Sequence, residues 1–202
     1  MKITSIKQQI KTAGRYSVFV EGEYSFSLSE SVLIQTQITS GQELDTRQVE
    51  DYKKLSADDK LYNKVLRYVA MRQRSVWETE FYMQRKEAAP GFIEQSIEKL
   101  KAIGLLDDYK FAETFVRDRR LLRATSRRKL QAELRKKRVA NDAIEAALRD
   151  DESDDRTALT TLIERKRRQS KYQDDTKLMQ YLARQGFSYD DIKSALSVDN
   201  DS

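Results

Sequence analysis

The 202-residue sequence predicts a mainly α-helical protein. Tandem three-helix units in an elongated or crescent-shaped array follow a small N-terminal extension that contains a β-hairpin. Three observations carry this expectation. An apolar frame recurs with a period of about 50 residues, helix-capping signals punctuate each recurrence, and the first ~45 residues alternate with period two instead.

The extension comes first. Tyr16, Val18 and Val20 alternate with Ser17, Phe19 and Glu21, and beyond Gly22 the set Tyr24, Phe26 and Leu28 alternates with Ser25 and Ser27. Strict alternation interrupted by a glycine is a hairpin signal. A two-residue Glu21-Gly22 loop sets Val18 opposite Ser25 and divides the apolar sets between opposite faces. A three-residue loop is therefore expected, pairing Val20 with Tyr24, Val18 with Phe26 and Tyr16 with Leu28. Ile3, Ile6 and Ile10 suit an earlier strand. A lone hairpin is marginal in water, so the extension is expected to pack on the first helical unit, with its aromatic rings as core rather than as platforms for bases.

From Ser56 the pattern becomes helical and repeats. Leu130, Leu134, Val139, Ile144 and Leu148 are separated by 4, 5, 5 and 4 residues. Leu178, Leu182, Phe187, Ile192 and Leu196 repeat this spacing 48 residues later, and Thr79, Met83, Ala88, Ile93 and Ile97 carry it 51 residues earlier. Steps of four stay on one face of a helix, and steps of five cross a tight turn into the next. Each frame is a helix–turn–helix pair, and one more amphipathic helix precedes each: Leu61 to Met71, Phe111 to about Leu121, and Ala158 to about Arg167. The expected divisions are residues 1–55 for the extension and 56–106, 107–150 and 151–202 for the units.

Capping chemistry marks the same boundaries. Ser75-Val-Trp-Glu78 and Ser188-Tyr-Asp-Asp191 fit the capping box, and Ser126 fills the slot matching Ser75. Pro90 suits a first helical turn and Gly186 a helix C-terminus. Asp pairs at 58–59, 107–108, 154–155, 174–175 and 190–191 stand near expected helix starts, where carboxylates favour the positive end of the helix dipole. Trp77 and Tyr82 read as packing residues.

Composition removes several function classes. With no His and no Cys, there is no Ser-His-Asp or Cys-His nucleophile, no thiolate or imidazole metal site and no disulfide. A metal site would need carboxylates alone, and the Asp pairs already have a capping role, so neither metal nor cofactor is expected. Six glycines supply no phosphate-cradling loop, and no base–acid–nucleophile constellation is visible, so no catalysis is expected. Mean hydropathy is −0.77. No apolar run approaches the roughly 20 residues of a spanning helix, and no signal-peptide core follows Met1, so a cytoplasmic protein with no membrane contact is expected.

The formal charge of +5 is concentrated. Residues 117–138 hold eleven basic and two acidic side chains, for a net charge of +9. The basic cluster comprises Arg117, Arg119, Arg120, Arg127, Arg128, Lys129, Arg135, Lys136, Lys137 and Arg138, with Arg165, Lys166, Arg167 and Arg168 as a second patch. Cations three and four apart lie side by side on a helix, and Arg120, Arg123 and Arg127 fit one such stripe. Charged faces usually keep helices soluble, but a local excess of this size suits an acidic partner. The second helices of the pairs, Asn141–Leu148 and Tyr189–Leu196, carry few base-reading side chains, which argues against sequence-specific DNA recognition.

The string Ile103-Gly-Leu-Leu-Asp-Asp-Tyr-Lys-Phe-Ala-Glu-Thr-Phe-Val-Arg-Asp-Arg-Arg120, followed by Ser126-Arg-Arg-Lys-Leu-Gln-Ala-Glu-Leu-Arg-Lys-Lys-Arg-Val139, resembles the RecX family of bacterial recombinase regulators. The resemblance extends more loosely over all three units, and Tyr16 to Leu28 is similar to the N-terminal extension of longer members. Two departures concern turns: Arg138 stands where the family usually has glycine, and Ala124-Thr125 where a glycine-containing loop is common. The resemblance implies a non-enzymatic protein that binds RecA, particularly its filament on single-stranded DNA, and restrains ATP hydrolysis and strand exchange; a monomer without cofactor is expected. It assigns no catalytic residues, and the basic cluster and second patch are the contact residues expected. A helical module gripping nucleic acid without sequence preference is the competing reading, and weak direct contact with DNA belongs to both.

Overall fold

The alternation at residues 16–28 forms the hairpin it predicts, by a different turn. Strands β1 (Ile3–Gln8), β2 (Arg15–Val20) and β3 (Glu23–Ser29) make an antiparallel sheet in the order β1-β2-β3. Tyr16 pairs with Leu28 and Val18 with Phe26, as the shared apolar face requires, but Val20 pairs with Glu23 across a two-residue loop. Glu21 and Gly22 both have positive φ, 53° and 86°, the geometry of a tight hairpin turn whose twist matches the strands. The register shifts between Val18 and Phe19, and the additional residue, Ser25, returns Phe26 and Leu28 to the core face. Ile10 lies outside β1 and is fully exposed.

The computed structural model describes residues 1–151 and 153–200. The chain divides into two compact units: Met1–Arg72 with Thr79–Leu105, and Gln73–Glu78 with the chain from Leu106 onward. In the first, the sheet is followed by α1 (Glu30–Thr36), α2 (Thr46–Ala70), α3 (Val76–Gln84, entered from the second unit) and α4 (Pro90–Ala102). The sheet packs on α2: Ile3, Val18, Val20, Phe26, Leu28, Ile38, Leu44 and Val49 form one core, and the Phe26 ring stacks on Tyr52 at 5.4 Å. The extension thus packs on helical structure as expected.

A short helix, α1, already lies within the extension, and the long helix α2 starts ten residues before Ser56, because Asp45 accepts from the Gln48 N–H while the Gln48 side chain accepts from the Asp45 N–H, a complete capping box. The Asp58-Asp59 pair consequently lies inside a helix, not at its start. Asp59 is buried and ties α2 to β3, accepting from the Ser29 N–H (2.7 Å) and hydroxyl (2.6 Å) and pairing with Arg15 (3.1 Å).

The second unit contains α5 (Asp108–Arg123), α6 (Arg127–Lys136), α7 (Asn141–Arg149), α8 (Asp155–Arg167), a 3-10 turn at Ser170–Tyr172, α9 (Asp175–Arg184) and α10 (Tyr189–Asn200). Of the three frames read from the sequence, the two in this unit are buried: Leu130, Leu134, Val139, Ile144 and Leu148 pack with Phe111, Ala112 and Val116. Leu178, Leu182, Phe187, Ile192 and Leu196 pack with Leu159, Leu162 and Ile163. Arg138 (φ 54°) and Gly186 (φ 92°) turn the chain between the paired helices. The Val139 N–H then reaches back to the Leu134 carbonyl, which is why the frame steps by five there. The protein is therefore mainly α, with three three-helix repeats (α2 to α4, α5 to α7, α8 to α10) and a small N-terminal sheet.

Candidate functional site

The capping residues come first, because they determine which cations remain free. Ser75 caps α3 by accepting from the Glu78 N–H, and Ser126 caps α6 by accepting from the Lys129 N–H. Their hydroxyl protons go elsewhere: Ser75 Oγ donates to the Lys137 carbonyl (3.3 Å) and Ser126 Oγ to the Gln185 carbonyl (2.8 Å). The Asp pairs divide their work in the same way. Asp107 and Asp154 cap their own helices, while Asp108 Oδ1 accepts from the Val76 N–H and Asp155 Oδ1 from the Arg127 N–H, each at 2.9 Å. Thus one Ser and one Asp bind the start of α3 to α5 and α6, and a matching Ser and Asp bind the start of α6 to α8 and α9. Sequence reading found these residues as caps and missed their second partners. The signal lay in the second Asp of each pair, one more than a single helix start needs.

Several of the cations belong to this framework. The Arg120 guanidinium, 6% exposed, donates to Asp151 (2.8 Å), Asp155 (2.6 Å) and the Thr125 carbonyl (2.9 Å). Arg127 donates to the Leu148 carbonyl, so the expected stripe of Arg120, Arg123 and Arg127 is dispersed: Arg120 points inward, exposed Arg127 binds backbone, and of the three Arg123 alone has no hydrogen bond or ion pair among the described residues. Arg119 pairs with Glu133 (3.1 Å) and covers the Phe115 ring. Lys129 Nζ donates to the Arg184 carbonyl and the Gln185 side chain, Lys137 pairs with Glu78 (2.7 Å), and Arg138 lies over Trp77.

In the second patch, Arg165 donates to the Leu122 carbonyl and Lys166 lies over Tyr172 and Tyr181. Arg167 pairs with Asp175 (2.5 Å). Arg117 meets only its neighbour Asp118, at 3.7 Å, with both side chains exposed.

What remains is a smaller set. Arg128, Arg135, Lys136 and Arg168 are exposed and make no ion pair or hydrogen bond among the described residues. Arg128 and Arg135, seven apart on α6, lie on one side of the helix, away from buried Leu130 and Leu134, with Lys136 beside them. Three cations with undivided hydrogen-bonding capacity form a surface that can bind phosphate or carboxylate, Arg in two-pronged fashion and Lys as a point charge. Tyr109, within the family-like string, donates to Asp142 (2.6 Å), and this bond holds the phenol above its ordinary pKa and the carboxyl below its own. No helix among the described residues is long and apolar enough to cross a membrane.

The comparisons with known proteins fit this architecture segment by segment. Residues 1–45 match the family model described as the regulatory protein RecX N-terminal domain. Residues 62–100, 107–148 and 154–196 match the first, second and third three-helix domains of RecX. Among curated relatives, a "Regulatory protein RecX" of Lactobacillus johnsonii is 34% identical over 146 residues, covering 72% of this chain and 54% of the relative. One of Bacillus pumilus is 30% identical over 199 residues, covering 96% and 76%. The chain spans about half the length of the Lactobacillus johnsonii and Halalkalibacterium halodurans relatives it matches. A crystal structure of regulatory protein RecX superposes with a TM-score of 0.73 at 26% identity over 97% of this chain and 98% of that one. RecX from Lactobacillus salivarius gives a TM-score of 0.56 at 26% identity over 69% and 94%.

Proposed function

The chain belongs to the RecX family of regulatory proteins, and on that premise we propose that it binds the RecA filament on single-stranded DNA and restrains ATP hydrolysis and strand exchange, with no catalytic step of its own. The observation that supports this reading is the exposed trio Arg128, Arg135 and Lys136 on α6. Their side chains have no intramolecular partner among the described residues, whereas most of the other cations around them do. A nucleoprotein filament offers phosphates and acidic protein surface, and a face of free cations is drawn to it at rates that fall with salt. In this reading the protein works as a monomer in the cytoplasm and touches DNA only weakly by itself.

The test is recombinase ATPase on single-stranded DNA with wild type and with R128E/R135E/K136E. Each reversed charge removes an attraction and adds a repulsion, so inhibition is expected to weaken by about a hundredfold in concentration if each site is worth about 1 kcal/mol. The variant should keep the wild-type melting temperature, because none of the three side chains holds the fold. Unchanged inhibition by a folded variant would refute the assignment. Arg127 and Lys129 are unsuitable for this test, since their bonds to Leu148, Arg184 and Gln185 make them part of the framework.

A further inference from the structure

The three repeats carry the same apolar frame but do not close it equally. Position one is Leu130 and Leu178 in the second and third repeats and Thr79 in the first; position three is Val139 and Phe187 against Ala88. Position four is sealed at 1% exposure in both Ile144 and Ile192, whereas Ile93 stays half-buried. The small side chain at position three borders a cleft of about 460 Å³ between α3 and α4, with Ala88, Pro90, Ile93 and Ile97 among its lining, while Thr79 is fully buried beneath. That volume accommodates one leucine or phenylalanine side chain with room for its neighbours.

The rim has its own chemistry. Glu80, Glu94 and Glu98 border the cleft with Lys101, which pairs with Glu98 at 3.0 Å. Glu80 and Glu94 have no ion pair among the described residues. Glu94 and Glu98 are four apart on α4, a like-charge arrangement that costs helix stability unless a cation answers it. The sign is opposite to that of the α6 face.

From this unsealed apolar floor with acidic edges, we propose that the α3–α4 cleft docks a basic amphipathic segment of a partner protein. One apolar side chain enters over Ala88 and Ile93, and lysines or arginines on either side meet Glu80 and Glu94. The site does not depend on the filament reading, because it uses neither the α6 cations nor DNA.

The probe is a helical peptide of about 18 residues, with leucine at every third or fourth position and lysine or arginine beside it, titrated into the isotope-labelled 202-residue protein. Chemical-shift changes should centre on Ala88, Ile93, Glu94 and Glu98. A peptide of equal charge without leucines should bind at least about tenfold more weakly, the worth of burying one such side chain. A88F, which installs the residue the third repeat carries at this position, should weaken binding about tenfold or more with charge unchanged, because it fills the floor. E80Q/E94Q keeps the shape and should weaken binding about fivefold, and it decides the matter if A88F fails to fold. No binding, equal binding of the leucine-free peptide, or wild-type binding by both variants would overturn the proposal.

Discussion

Glu87, Arg138 and Gly186 occupy one structural slot, the left-handed residue between the second and third helices of each repeat, with φ of 58°, 54° and 92°. Only the third needs glycine for a second reason. A Cβ at Gly186 would stand 2.8 Å from the Lys129 Cβ and closer still to Ser126 Oγ, because the start of α6 presses on this turn. Gly186→Ala is therefore expected to destabilise the protein by about 3 kcal/mol, from left-handed strain plus overpacking, read from denaturant unfolding. Arg138→Gly should change stability by less than about 1 kcal/mol: it relieves a left-handed non-glycine residue and loses the contact over Trp77, effects of similar size and opposite sign. A second residue-scale expectation concerns pH. Tyr109→Phe removes the bond to Asp142, and the loss of melting temperature should be constant across neutral pH. Asp142 has its pKa lowered from 3.8, so its contribution is present above 3.8 and disappears as pH falls through the lowered value. Tyr109 has its pKa raised from 10.0, so its contribution is present below 10.0 and disappears as pH rises through the raised value. A wild-type–variant difference that stays flat into strong acid would contradict this.

At the scale of elements, the informative structures are the junctions where one repeat's second helix begins. Ser126 caps α6 and bonds the end of α9, so Ser126→Ala should cost about 2 kcal/mol, one cap plus one hydrogen bond. Arg120→Ala leaves Asp151 buried without its cation. The expected cost is about 3 kcal/mol, at the lower end for a broken buried pair because Asp155 is partly exposed. If α5 to α7 and α8 to α10 unfold as one, both variants should lower a single calorimetric transition. The caps were legible in the sequence because they are local, a Ser followed three residues later by Glu or an acidic pair before an apolar run. The clasps were not, because Lys137 lies 62 residues from Ser75 and Asp155 lies 35 residues from Arg120. The long α2 was legible only in its last part. Its buried stripe includes Ser56 and Asp59, which interrupt the apolar period, although Asp45 and Gln48 did carry a capping signal. The pairing of Val18 with Phe26 and Tyr16 with Leu28 followed from the apolar faces, whereas the pairing of Val20 with Glu23 instead of Tyr24, and the bulge at Ser25, follow from a tight turn that alternation alone does not specify.

At the scale of the whole molecule the question is how much of the positive charge is available to a partner. Formal counting gives eleven cations between residues 117 and 138. Carboxylates, carbonyls or an aromatic ring engage Arg119, Arg120, Arg127, Lys129, Lys137 and Arg138. Arg117, Arg123, Arg128, Arg135 and Lys136 remain exposed, Arg117 with only a weak neighbour. The effective footprint is thus five charges rather than eleven, and salt dependence can tell these apart. For a single strand the slope of log K against log salt is about −0.7 per phosphate neutralised, so bare single-stranded DNA should give a slope near −3.5 if five cations take part and near −8 if all eleven do. Fluorescence anisotropy over a salt series measures it directly. R128E/R135E/K136E, which leaves two of the five cations, should flatten the slope to about −1.4, while Arg119→Gln, which removes a charge already spent on Glu133, should leave it unchanged. A wild-type slope near −8 would mean that the partner breaks the internal ion pairs, and the framework assigned to Arg120 and Lys137 would then have to open on binding.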